Sequence, residues 1–229
     1  MISICIPTYE QRGYGAIMLT QLLNSILSQK IYNEYEIIIS DNSKDDEIER
    51  LCKKYKLPIS YYRNPITGVS ENTNNAISLS KYDKIKLMYQ DDKFNDRQAI
   101  DLFCIALDLN NWVVSHARNI DNNNVYRGQS KPKFIPGYFD KNTIGMPSVI
   151  AFNKQGLTKL FDTRLRTFCD LYFYHHLYEV YGQPKIIETP LVCQRFWKGS
   201  QSRNQPAYHE YDKQIILDDL GNSIQRLRP

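Results

Sequence analysis

Two adjacent carboxylates, Asp91 and Asp92, follow the run Lys84-Ile85-Lys86-Leu87-Met88-Tyr89-Gln90, in which apolar residues alternate with others. A strand that stops at paired acids delivers them to its carboxyl end, where open α/β sheets bind ligands. Two carboxylates at one edge can hold a divalent cation against phosphate oxygens. Taken alone, the pair is better read as acids at a strand-to-loop junction, opening a turn before Asn95-Asp96. Asp170 precedes an apolar-aromatic run, where an acid serves as an N-cap or first-turn residue of a helix. Asp162 fits a structural turn after Phe161, and His175 and His176 read as packing or surface residues.

Other chemistries lack their residues. The five cysteines are scattered and form no CxxC pair, so neither a disulfide framework nor a zinc site is suggested, and a reducing, cytoplasmic setting is expected. No GxGxxG follows the first apolar run and no GxxxxGK[ST] occurs, which argues against a dinucleotide fingerprint and a P-loop. No stretch approaches 18 uninterrupted apolar residues. The opening Met1-Ile2-Ser3-Ile4-Cys5-Ile6-Pro7 reads as a strand, not a signal peptide. A net charge of +4 permits anionic partners without requiring them.

The acids must be positioned by the elements around them. Residues 2–6 form a β run ended by Pro7, and helical spacing follows over 15–29. Residues 36–40 are a β-branched run ending at Asp41, with Ser43 as an N-cap for a helix over 45–56. Residues 59–62 read as a third strand, and Ser70 as the N-cap of the next helix. Strand and helix thus alternate through residue 109, the pattern of a parallel sheet covered by helices. Later residues are less regular. Strands are expected at 112–116, 148–152 and 190–196, loops or a small hairpin over 118–147, and helices at 170–181 and 209–226. With no repeat or linker, 1–229 reads as one domain.

Five segments in order resemble the glycosyltransferases of family 2. Ile4-Cys5-Ile6-Pro7-Thr8-Tyr9 resembles their opening strand and Pro-x-Tyr, and Ile37-Ile38-Ile39-Ser40-Asp41-Asn42-Ser43 their second strand with its Asp-(Asp/Asn)-Ser. Asn74 to Ile85 resembles the helix and strand leading to the Asp-x-Asp region, which here reads Gln90-Asp91-Asp92. Phe161-Asp162 through Cys169-Asp170 resembles the segment bearing the catalytic base. Glu188 to Ser202 resembles the closing Pro-Leu…Arg-x-His-x-x-Ser-x-Ser stretch. The chain departs from the pattern at Tyr89, Cys169 and Trp197, which stand where relatives have an acid, a Glu and a His.

The resemblance implies a GT-A fold: an α/β, single Rossmann-like domain with a mostly parallel central sheet flanked by helices and an irregular acceptor-side C-terminal half. Residues 1–95 would bind the nucleotide sugar, and 96–229 would bind the acceptor and carry the base. The implied activity is metal-dependent, inverting transfer from a nucleotide diphosphate sugar, UDP being the commonest carrier. Asp170 would be the base. Asp92 would be the direct ligand of Mn²⁺ or Mg²⁺, with Asp91 beside it and nearer the donor. Thr8, Tyr9, Glu10, Asp41 and Asn74 would bind the nucleotide, and Arg195 or Lys198 would support the leaving group in place of the His that Trp197 replaces.

A nucleotidyltransferase would need a basic Gly-rich first loop, where this chain has only Arg12-Gly13. A catalytically silent binding module is another reading, given Tyr89 and Trp197. The favoured acceptor is a glycan or lipid-linked oligosaccharide, at a cytoplasmic or peripheral membrane location. Residues 118–141 set Arg118, Arg127, Lys131, Lys133 and Lys141 among Tyr126, Phe134, Tyr138 and Phe139. That mixture suits a solvated loop over the acceptor cleft, or a grip on a polyanion. A phage-type DNA glycosyltransferase acting on hydroxymethylated, flipped-out bases is therefore carried as an alternative.

Overall fold

The computed structural model describes residues 1–139, 142–197 and 208–221. Its first half alternates strand and helix: β1 (Ile2–Thr8), α1 (Gly15–Leu27), β2 (Tyr35–Asp41), α2 (Glu47–Cys52), β3 (Ile59–Arg63), α3 (Val69–Ser78) and β4 (Lys84–Leu87). A two-residue strand, β5 (Lys93–Phe94), leads to α4 (Ala99–Leu109). Then come β6 (Trp112–Ile120), β7 (Tyr126–Ser130), β8 (Ile150–Asn153), α5 (Cys169–Tyr181), β9 (Lys185–Arg195) and α6 (His209–Leu220).

All nine strands join one sheet in the order β3-β2-β1-β4-β8-β6-β9-β5, with β7 paired to β6. The expected parallel arrangement holds for β3-β2-β1-β4. Beyond β4 the sheet is mixed: β8 runs antiparallel to both neighbours, while β6 and β9 are parallel. The small hairpin expected over 118–147 is the β6–β7 pair. Strand β6 is longer than the apolar run Trp112 to His116 indicated, because its polar second half is held in the sheet by β7 and β9.

Side-chain alternation divides the core between the two faces of the sheet. Ile4, Ile6, Ile37 and Ile39 pack on one side with Leu19, Leu22 and Leu23 of α1 and with Ile100 and Phe103 of α4. Cys5, Ile38, Ile85 and Leu87 pack on the other with Ala76 and Ile77 of α3 and Phe173 and Leu177 of α5. Because both faces are covered, Lys86 in the middle of β4 is fully buried, its ammonium 4.2 Å from the centre of the Phe103 ring.

Two expected helix caps do different work. The Ser43 N–H and hydroxyl both donate to the Asp41 carboxylate, at 3.0 and 2.6 Å, so α2 starts later than expected, after Asp46. Ser70 lies inside α3, which is capped by Gly68 at φ +141°; a Cβ there would come within 1.9 Å of the Glu71 carboxylate. The expected strand from Ser148 begins at Ile150 instead, because Pro147–Val149 form a short 3₁₀ turn.

Candidate active site

Parallel strands β1, β2 and β4 end at the same edge of the sheet, with Thr8 opposite Asp41 and Cys5 opposite Leu87. The loops after them converge on a cleft of ≈ 350 Å³. Asp91, Asp92 and Asp170 all line it.

The acid loop is fixed by the first loop. Tyr9 N–H donates to Gln90 Oε1 at 2.7 Å, and Gln90 Nε2 donates back to the Tyr9 carbonyl at 2.8 Å and to Gln11 Oε1 at 3.2 Å. Gln11 and Arg12 adopt left-handed backbone, with φ of 45° and 57°. That costs some strain, and it turns the Gln11 side chain inward, where it is buried. The chain passes so closely that a Cβ on Gly15 would lie 2.3 Å from the Tyr9 carbonyl.

The acids are held from β9. Arg195 N–H donates to Asp92 Oδ1 at 2.8 Å, and Trp197 Nε1 donates to Asp91 Oδ2 at 3.2 Å. The Tyr89 N–H donates to the Ser148 hydroxyl at 2.9 Å, which lies against Asp92. Burial raises both carboxyl pKa values, and the Asp91 charge adds to the effect on Asp92. The two acids thus form a buried oxygen pair that a positive ion would relieve. Hard oxygen donors suit Mg²⁺ or Mn²⁺, so the residues fit such an ion. Among the described residues there is no group of three or more His, Cys, Asp or Glu that could hold a metal. Among the described residues, Asp91 and Asp92 are the carboxylates that would hold the ion.

Asp170 stands in the first turn of α5. Its Oδ2 accepts from Asn142 Nδ2 at 2.8 Å, and its Oδ1 from the Leu171 N–H at 2.8 Å. Asn142 is itself oriented by the N–H groups of Ile144 and Gly145. Burial outweighs these bonds and pushes the Asp170 carboxyl up to about 6. A carboxylate with that pKa can accept a proton near neutrality.

Of the residues expected to bind the nucleotide, Tyr9 and Glu10 line the cleft. Thr8, Asp41 and Asn74 are turned away from it. The Thr8 hydroxyl donates to the Ser40 carbonyl and to Asp41. Asp41 is fully buried beneath the loops, accepting from Ser43 and from the Tyr61 hydroxyl at 2.7 Å and pairing with Arg63 at 3.3 Å. A carboxylate so surrounded organises the loop. Asn74 exchanges hydrogen bonds with the Phe161 backbone, at 2.7 and 2.9 Å, tying α3 to the chain before the base. Arg195 touches the cleft, but its guanidinium donates to the carbonyls of Asp91, Asp121 and Asn122 and to Gln21 and Asn124. These bonds brace the acid loop from β9. Lys198 lies outside the described residues, as does Lys141.

The cleft also holds cations that the sequence reading passed over, Lys44 and Arg166, together with Asn42, Asn72 and Thr167. Each sits within a few residues of an Asp used as a marker or on the helix after β3, and that adjacency was the available signal. The aromatic residues of 118–139 do not form one stacking surface. Phe134 packs against Trp112 and Tyr178, Phe139 is buried against His175, and Arg118 covers Tyr126.

A mixed, helix-covered sheet that gathers three acids around one cleft at its strand ends defines a GT-A type of transferase fold. The sequence profile of glycosyl transferase family 2 matches residues 3–166, and the chain belongs to that family. It is 38% identical over 98 residues to abequosyltransferase RfbV of Salmonella typhimurium, a match covering 40% of this chain and 28% of that protein. An uncharacterized glycosyltransferase of Rickettsia bellii is 26% identical over 175 residues, covering 72% and 24% of the two chains. The matches thus span about a quarter of the length of these relatives.

Among solved structures, S. aureus TarS 1-349 in complex with UDP-GlcNAc superposes with a TM-score of 0.74 at 17% identity, covering 96% of this chain and 66% of that one. The mannosyltransferase PcManGT of Pyrobaculum calidifontis, in complex with GDP-Man and Mn²⁺, gives 0.63 at 14% identity, covering 94% and 64%. At such identities these likenesses bear on the fold. Among the described residues no helix is long and apolar enough to cross a membrane.

Proposed function

We propose that the chain is a metal-dependent, inverting glycosyltransferase that moves a sugar from a nucleotide diphosphate sugar to an acceptor hydroxyl. UDP is the favoured carrier, as in the TarS complex with UDP-GlcNAc. The favoured acceptor is a glycan or a lipid-linked oligosaccharide. One observation carries this reading: Asp91 and Asp92 at a strand end and Asp170 at the head of a helix line the same cleft from opposite halves of the chain.

The division of work follows from the surroundings of each acid. Asp91 and Asp92 would hold Mn²⁺ or Mg²⁺, which neutralises charge gathering on the leaving diphosphate. Asp92 is the deeper of the two, with one oxygen on the Arg195 amide, and Asp91 is the more open. Both are therefore assigned to the cation, with Asp91 on the donor side. Asp170 takes the proton of the acceptor hydroxyl as that oxygen attacks the anomeric carbon. The bond to the diphosphate breaks on the opposite face, so the anomeric centre inverts. Asn142 keeps the base oriented, while Tyr9, Asn42 and Lys44 offer contacts to the nucleotide.

A panel of nucleotide sugars, scored by thermal shift with and without Mn²⁺ and then by nucleoside diphosphate release, tests this proposal. Cation-dependent stabilisation by at least one donor, followed by release, is expected. Donor binding with no release under any condition would instead make the chain a silent binding module.

A further inference from the structure

The loop that leads into Asp170 is held by a residue from the far end of the chain. Asp212, in the first turn of α6, is fully buried. Its carboxylate accepts from the N–H groups of Arg166 at 3.1 Å, Thr167 at 2.6 Å and Phe168 at 2.9 Å. It also accepts from the Thr167 hydroxyl at 2.8 Å. All four donors belong to three consecutive residues, and the next two are Cys169 and Asp170. Arg166, Thr167, Cys169 and Asp170 all line the cleft.

Burying a carboxylate is costly unless its oxygens are fully hydrogen-bonded, and these bonds satisfy it through one loop alone. A second anchor lies on the same helix. Asp219 pairs with Arg164 and accepts from the Tyr172 hydroxyl at 3.0 Å, so α6 grips the chain on both sides of Asp170. His209 stacks on Phe168, with ring centres 4.9 Å apart. The remaining bonds to Asp170 come from Asn142 and from the N–H of its own neighbour Leu171. Neither would fix the loop before it.

We propose that Asp212 is a positioning residue for the reaction: through the backbone of 166–168 it sets where the Asp170 carboxylate and the Arg166–Thr167 wall stand in the cleft. Helix α6 is thereby part of the catalytic apparatus although none of its described residues lines the cleft. This inference rests on the role proposed above for Asp170, but the hold on the loop can be tested apart from it.

The test compares wild type with Asp212→Asn, Asp212→Glu and the control Asp218→Asn, which changes an exposed acid of the same helix. An Asn can accept through one oxygen only and sets an N–H₂ against backbone donors. Carboxyl ¹³C titration, assigned with Asp170→Asn, reads the surroundings of Asp170 directly. In wild type, where burial pushes that carboxyl up to about 6, the midpoint is expected near that value. In Asp212→Asn its midpoint should move towards the ordinary carboxylate value, as the released loop admits water. Trypsin cleavage after Arg164 and Arg166 should quicken by about tenfold or more, the equivalent of one charged hydrogen bond lost.

With a donor that wild type turns over, Asp212→Asn should lower kcat and leave the donor KM unchanged, while Asp218→Asn matches wild type. A folded Asp212→Asn with wild-type titration, cleavage rate and kcat would overturn the proposal. If Asp212→Asn does not fold, Asp212→Glu, which keeps the charge on a longer arm, is read in the same way. If wild type releases nucleoside diphosphate from no donor, the proposed function fails, while titration and proteolysis still decide the hold on the loop.

Discussion

Asp170 is where a single proton decides the outcome. Burial raises its carboxyl to about 6, so turnover should climb as pH rises through that value and fall away below it. Asp170→Asn should remove about 10²–10⁴-fold of the transfer rate and spare donor binding. The same shift has a consequence for stability. The folded pKa lies above the ordinary carboxylate value of 3.8, so between the two the folded state binds more protons than the unfolded one. Wild type therefore loses stability as pH rises through this window. Asp170→Asn lacks the penalty and should be the more stable protein in urea at about pH 8, with the advantage shrinking towards pH 4. Trp197 acts on the other acids. Its indole N–H cannot ligate a cation, but it donates to Asp91 and counteracts the rise in that carboxyl's pKa. Trp197→Phe should weaken cation-dependent donor binding by about tenfold, equivalent to one hydrogen bond to a charged group, and calorimetry with and without Mn²⁺ reads the change.

At the scale of elements, β4 carries an unusual load. Lys86 is fully buried, and its ammonium donates to the carbonyls of Leu87, Ser148 and Ile150, joining β4 to the turn and strand beside it. Burial pushes its pKa well down. Lys86→Ala would strip three carbonyls of a donor and open a cavity over Phe103, and should cost about 2–5 kcal/mol in urea unfolding. Lys84→Ala, two residues away, removes a bridge to the largely exposed Asp108 and should cost about 1 kcal/mol or less. The sequence could not separate these two lysines. Alternation shows which residues share a face, but whether both faces are covered depends on α4 and α5, far along the chain. The first half was legible because each apolar run is local and its turns are short. Strand β9 extends from Lys185, before the expected residue 190, because its first residues pair with β6 through Val113 to Ser115.

At the scale of the whole molecule, the chain brings together acids that lie far apart in sequence. Asp91, Asp92 and Asp170 each close a recognisable segment of the sequence, and the fold brings them to one cleft. Thr8, Asp41 and Asn74 make their hydrogen bonds within the fold, which the sequence did not reveal. A motif shows that a polar residue lies near a strand end, but not whether it faces the ligand or the loop beneath. Asp41 holds that loop together from within. The contribution of α6 could not be read either, since nothing local to Asp212 indicates the loop it holds. On the proposed function, Asp91 and Asp92 bind the donor's diphosphate through a cation while Asp170 acts only on the acceptor. Calorimetric titration of a donor chosen from the panel into wild type, Asp92→Asn and Asp170→Asn, with and without Mn²⁺, tests it most directly. Wild type and Asp170→Asn should bind alike and only with the cation, and Asp92→Asn should lose that dependence together with most of the affinity. Equal, cation-independent binding by all three would contradict the account.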